Sequence, residues 1–302
     1  MMSATQYIDT RPPASWNGGY TLDNAAVQAG DRVAALSQLF DSGTIHHLEE
    51  RGVAAGWHCL EVGGGGGSIA AWLSERVGPT GRVTVTDINT RFLESLQRPN
   101  LEVRRHNIVT DPLPEATFDL VHARLVLMHL PERDAVLARL IKALKPGGWL
   151  LDEEFDVLSM YTDPASMSGK QTCIASPHST GCWPSAVRNF ALAGFSTDAC
   201  GSSDCITSAR TRGLPWAGGG SVVATLVRSN FCQLRDTMIE AGYFTAEDLE
   251  GDLRRLDDPH SLVLTDTLGR VGLPPRRSRE QQWTRSGLYT GGHIRLVTWR
   301  KS

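Results

Sequence analysis

The chain has 302 residues, a mass of 32.9 kDa and a formal net charge of −3. That near balance argues against a protein whose main partner is a nucleic-acid backbone or an anionic membrane surface. The 41% hydrophobic and 21% charged composition argues against a disordered chain. No apolar run approaches the ~20 residues of a membrane helix, and the first residues lack the apolar core of a secretory signal. The six cysteines form no C-x-x-C pair, so reduced thiols and a cytoplasmic protein are expected.

In chain order, residues 1–19 read as a tail. Residues 20–158 alternate between helix and strand. Asp23 or Asn24 is expected to cap a first helix with Val33, Leu36, Leu39 and Phe40 on one face. A second, short helix carries Ile45 and Leu48 and ends near Gly52. The apolar run Trp57–Val62 then stops in five glycines, and Ser68–Val77 reads as a helix closed by Gly78-Pro79.

A β-rich run, Arg82–Asp87, ends in an acid. A short helix is expected at Arg91–Leu96, and strands at Leu101–Arg104 and Phe118–Ala123. Val136, Leu137, Leu140, Ile141 and Leu144 lie at helical spacing. Lys145-Pro146-Gly147-Gly148 breaks that helix, and Trp149-Leu150-Leu151 opens a fifth strand. The order βαβαβαβαβ predicts an α/β fold: a doubly wound, mostly parallel sheet with helices on both faces.

Residues 159–220 change character. They are rich in Ser, Thr, Gly and Cys and carry no apolar period. Compact domains rarely hold so long a structureless stretch, so it reads as a lid, an insertion, a disordered segment or the product of a frame slip. Cys173, Cys182, Cys200 and Cys205, with His178, have gaps too irregular for zinc, and no metal is expected.

Residues 221–260 return to helical order, with a break at Gly242 and the spacing of a capping box at Thr245 and Asp248. In residues 261–302, His293–Trp299 reads as a closing edge strand within a basic, solvated tail.

The strongest chemical signal is Glu61-Val62-Gly63-Gly64-Gly65-Gly66-Gly67, set between a strand and a helix. Glycine admits positive φ and close ligand approach, and the following helix offers free N–H groups and a partial positive charge. Asp87 ends the second strand, 20 residues past Gly67. A carboxylate there can accept hydrogen bonds from a ribose 2′,3′-diol. Two cofactor classes fit so far, because Gly65-x-Gly67-x-x-Ala70 also satisfies the looser dinucleotide fingerprint.

Further segments tip the balance. Glu61, Gly63, Gly65 and Gly67, the strand Phe118–Arg124, the segment Leu127-Met128-His129-Leu130-Pro131 and the turn Lys145–Gly148 together resemble the class I S-adenosylmethionine-dependent methyltransferases, over about residues 30–155. The resemblance implies a seven-stranded Rossmann-like sheet with the last strand antiparallel, and a helical cover at 221–260.

It also implies site roles. Gly63, Gly65 and Gly67 would run beside the methionine end of the cofactor, with Glu61 supporting their turn. Asp87 would hold the ribose and Ile88 would pack on the adenine, with Asn107 and Ile108 bordering the adenine amine. Arg124 would face the cofactor's amino group through its backbone carbonyl. Tyr20 and Arg32 would close over it from the N-terminal side.

His129 is the candidate base, against a structural role. In the acidic run Asp152-Glu153-Glu154, one side chain is expected to face the pocket and the others solvent. The expected activity is methyl transfer from S-adenosylmethionine to a small molecule, with no nucleic-acid partner. The alternatives are an NAD(P)-dependent oxidoreductase and a non-catalytic S-adenosylmethionine-binding remnant.

Overall fold

The computed structural model describes residue 22 and residues 26–156, 205–210, 217–240, 245–259, 262–263 and 293–301. Tyr20, Asp23, Asn24, Cys173, His178, Cys182 and Cys200, and with them the expected N-terminal tail and most of the irregular segment, lie outside the described residues.

Helix α1 (Ala29–Glu50) is one continuous element where the sequence suggests two. The expected break between Phe40 and Ile45 is absent, although Gly43 lies there. A helical glycine costs only about 1 kcal/mol. Phe40, Thr44, His47 and Leu48 are buried on either side of it and hold the helix together.

β1 (His58–Val62), α2 (Ser68–Val77), β2 (Arg82–Asp87), β3 (Leu101–Arg105) and β4 (Phe118–Arg124) follow the expected order. Between β2 and β3 the expected helix at 91–96 is a single 3₁₀ turn, Thr90–Phe92, capped by the Asn89 side chain. Leu93 and Leu96 are drawn inward there, against the glycine loop. After a second 3₁₀ turn (Leu127–His129), α3 (Arg133–Ala143) leads into β5 (Leu144–Asp156).

Strands β1 to β5 pair in parallel in the order β3-β2-β1-β4-β5. Adjacent residues feed opposite faces, as pleating requires. Cys59, Leu120 and Leu151 pack on one face with Leu48, Leu73 and Val77. Leu60, Val121 and Leu150 pack on the other with Val136, Leu137 and Leu140.

Two strands extend the sheet. β6 (Cys205–Arg210) falls inside the segment where the sequence shows no strand. Its pairing shifts register between Ile206 and Ala209, which breaks the alternation a reader looks for. The two-residue strands β7 (Ala217–Gly218) and β8 (Leu262–Val263) pair separately. β9 (His293–Arg300) is antiparallel to both β5 and β6. It therefore lies between them, not at the edge as expected. The full order is β3-β2-β1-β4-β5-β9-β6.

Helices α4 (Val222–Glu240) and α5 (Ala246–Asp257) pack together through Phe231, Met238, Leu249 and Leu253. α5 begins with the expected capping box: Asp248 N–H donates to Thr245 Oγ1, and Thr245 N–H to Asp248 Oδ2. Leu226 carries α4 onto Ala35 and Phe40 of α1. Among the described residues no helix is long and apolar enough to cross a membrane.

Candidate active site

The loop after β1 is fixed by backbone bonds. Gly63 and Gly64 N–H both donate to the Thr86 carbonyl, at 2.8 and 3.0 Å, and Gly67 N–H donates to Gly64 O. Gly63, Gly65 and Gly67 all have positive φ.

Their surroundings differ. A Cβ at Gly63 would lie 2.4 Å from Val126, one at Gly64 2.2 Å from Val85, and one at Gly67 2.2 Å from Leu96. At Gly65 the nearest atom would be 3.9 Å away. Packing therefore demands glycine at 63, 64 and 67, whereas residue 65 faces open space.

The expected consequence separates the two kinds. Gly64→Ala lowers the unfolding free energy by about 1–3 kcal/mol through overpacking. Gly65→Val meets no neighbour but strains the left-handed backbone there, so it is expected to fold with a lowered thermal midpoint and to lose S-adenosylhomocysteine binding. Retained affinity in Gly65→Val takes the loop out of the site.

Asp87 closes the floor beside this loop. Its Oδ2 accepts from Gly65 N–H at 3.1 Å and its Oδ1 from Asn89 N–H at 2.9 Å. The carboxylate keeps room for a further donor. Burial raises the Asp87 pKa above the ordinary aspartate value, opposed by these backbone bonds and by the Arg32 charge.

A cavity of about 440 Å³ opens at the carboxyl ends of β1, β2 and β4. Gly63, Gly65, Asp87, Ile88, Asn107, Ile108, Arg124 and His129 all line it, together with Arg32. This is where ligands bind in open α/β sheets. Glu61 and Gly67 are not among its lining residues. Ile88 is 45% exposed, an apolar side chain left open at the rim. The Asn107 side-chain oxygen accepts from Val109 N–H at 2.9 Å and shapes the turn that presents Ile108. Arg124 turns its guanidinium away to Asp41 and Thr44 of α1, both at 2.9 Å.

His129 is half-buried. Desolvation, helped by the Arg32 charge, lowers its pKa to about 4, so the imidazole is neutral near pH 7.

Glu61 has a partner that the sequence reading did not assign. His122 Nδ1 lies 2.6 Å from Glu61 Oε2, and His122 Nε2 lies 3.2 Å from Glu153 Oε2. Thr44 Oγ1 also donates to Glu153 Oε2, at 2.5 Å. Burial alone lowers the His122 pKa, but the two carboxylates outweigh it and lift it to about 9. The imidazolium thus ties β1, β4 and β5 together, and Glu153 extends the tie to α1. The signal was a histidine inside an apolar strand, in register with Glu61.

The acidic run of β5 also differs from expectation. Asp152, Glu153 and Glu154 are all buried, and none lines the cavity. Strand alternation sends Glu153 to His122, while Glu154 Oε1 accepts from Val126 and Leu127 N–H at 3.1 and 2.8 Å. Burial pushes Asp152 up to about 7 and Glu154 above the ordinary glutamate range. Glu154 thereby holds the loop whose Val126 lies over Gly63 and whose Met128 and His129 wall the cavity.

Comparison with known proteins agrees with this geometry. A family model described as a methyltransferase domain matches residues 60–152. The ubiquinone/menaquinone biosynthesis C-methyltransferase of Pseudomonas putida is 35% identical over 128 residues, covering 38% of this chain and 50% of that protein. The enzyme of the same name from Shewanella halifaxensis is 34% identical over 116 residues, covering 36% and 46%. The chain thus spans about half the length of the curated relatives it matches.

Among solved structures, phosphoethanolamine N-methyltransferase 2 of Haemonchus contortus superposes with a TM-score of 0.50 at 15% identity, over 93% of this chain and 59% of that one. That likeness concerns the fold. Residues 60–152 thus resemble a methyltransferase domain, and the sheet they belong to has a Rossmann-like parallel order.

Proposed function

We propose that the protein transfers the methyl group of S-adenosylmethionine to a small-molecule acceptor. The observation that carries this reading is the cavity itself. Open space above the left-handed Gly65 and two acceptor oxygens on a buried aspartate lie side by side, within the segment matched by the methyltransferase model. Those residues suit an adenosyl ligand with a free ribose diol. The matched model and relatives favour this over a dinucleotide enzyme and over a non-catalytic remnant.

When bound, S-adenosylmethionine supplies a methyl group on a sulfonium whose departure leaves a neutral thioether. The chain's own task is then mostly placement, which contributes up to ~7–11 kcal/mol in well-aligned systems. Asp87 accepts the ribose hydroxyls. Ile88 and Ile108 flank the adenine, with Asn107 at its amine edge. Backbone at Gly63, Gly65 and Arg124 borders the methionine end, and Arg32 approaches from α1. Gly67 and Glu61 act beneath the loop, through packing and through the bond to His122. A His129 pKa near 4 makes the imidazole available but weak as a base, so proton removal adds little to placement.

Free cysteines at Cys59 and Cys232 are in keeping with a reducing cytoplasm, where we place the protein. Calorimetric titration tests the cofactor class. S-adenosylhomocysteine is expected to bind and NADH is not; NADH binding without S-adenosylhomocysteine binding contradicts the reading.

A further inference from the structure

The cavity has two ends. Asp87 and Asn107, at the ends of β2 and after β3, lie toward one side of the sheet. Leu36, Leu125 and Leu226 lie toward the other and pack in one apolar cluster. Asn230, one turn beyond Leu226 on α4, lines the cavity as well. Its side-chain oxygen is buried and has no hydrogen-bond partner among the described residues. Gln233, on the next turn, has both ends of its amide buried in the same condition.

A buried polar atom left unsatisfied costs about 1–3 kcal/mol, so a ligand that satisfies it is preferred over one that does not. The charges narrow the choice further. Arg32 brings a buried cation to the cavity, and His129 is neutral. The buried acids of β5 do not reach it, and Glu132 sits exposed at the rim. A cationic acceptor there would lose its hydration among leucines with no buried carboxylate at that end to pair with, since Asp87 lies at the other end, beside Gly65 and within reach of the Arg32 charge. A neutral apolar molecule meets the same leucines without that loss.

We infer that the end of the cavity beneath α4 takes an uncharged, largely apolar acceptor bearing a hydroxyl, whose O–H donates to the side-chain oxygen of Asn230. This rests on the methyl-transfer reading and names its substrate class. Asn230 is a specificity-determining residue on this account.

The test uses the full chain in the presence of S-adenosylhomocysteine, with cyclohexanol, phenol and ethanolamine as probes in ligand-observed NMR titrations. The two neutral alcohols are expected to bind, and ethanolamine at least tenfold more weakly. Asn230→Leu is expected to weaken both alcohols at least tenfold, with a thermal midpoint that certifies folding. Asn230→Asp keeps an acceptor and is expected to restore alcohol binding and to strengthen ethanolamine.

Failure of both alcohols to bind, tighter binding of ethanolamine to the native protein, or equal alcohol affinity in Asn230→Leu each overturns the assignment. S-adenosylhomocysteine titrated alone fails separately. Its failure removes the methyl-transfer reading, while the dependence of the alcohols on Asn230 still decides the pocket.

Discussion

Asp87→Ala is expected to weaken S-adenosylhomocysteine binding at least tenfold. Hydrogen bonds to a charged group contribute about 1.5–3 kcal/mol each, and 1.4 kcal/mol is one decade in Kd. The Asp87 carboxylate is the group at the end of β2 that can clasp a vicinal diol, and it also holds Gly65 N–H in place. Asp87→Asn separates the two roles. It keeps one acceptor oxygen and loses the charge, so its affinity should fall between those of the native protein and the alanine variant.

Acidity should act in the same direction. The folded pKa is raised, so protonation removes the anion at a higher pH than for an ordinary aspartate, and affinity should fall correspondingly early as pH drops. An unchanged Kd in Asp87→Ala, measured by calorimetry, means that the side chain does not touch the ligand.

Replacing His122 by Leu is expected to cost about 3–5 kcal/mol of stability, the usual penalty for breaking a buried ion pair. His122 is fully buried, and Glu61 and Glu153 are almost so; without the imidazolium two carboxylates are left facing the same apolar gap.

The pH dependence follows from the raised pKa. Below the ordinary value of 6.5 the histidine is protonated in both folded and unfolded chains, and the tie is fully present. As pH rises through about 9 the folded protein loses that proton and the stabilisation with it. The shift corresponds to roughly 3 kcal/mol. Urea unfolding at pH 6.5 and pH 9.5 should show a larger loss in the native protein than in His122→Leu, where only groups such as Asp152, near 7, still titrate. An equal pH dependence in the two proteins would mean that His122 is not the proton carrier.

The parallel half of the sheet was legible because its punctuation is strong. Glycines close β1 and α2, an acid closes β2, and adjacent apolar residues such as Leu120 and Val121 serve opposite faces. Long-range pairing was not legible. β6 owes its place to β9, with Cys205 opposite Trp299, and its own six residues carry a register shift instead of an alternation. For the same reason β9 looked like an edge: nothing in His293–Arg300 reveals that a strand lies on each side of it.

The candidate cavity gathers most of the residues picked from the glycine loop, Asp87 and the segment after β4. What escaped were partners set by three-dimensional register: His122 between two glutamates, Val126 over Gly63, and the amides of α4. The acidic run of β5 misled because in sequence one carboxyl looks set for the pocket and the others for solvent. Pleating instead sends Glu153 to one face and Glu154 to the other, and burial does the rest.

The most direct measurement is a crystal structure of the chain with S-adenosylhomocysteine. The account predicts density in the cavity at the ends of β1, β2 and β4, with the ribose hydroxyls within hydrogen-bond distance of Asp87 and the thioether side of the ligand over Gly65. Density elsewhere, or a ligand whose ribose points away from Asp87, would contradict it.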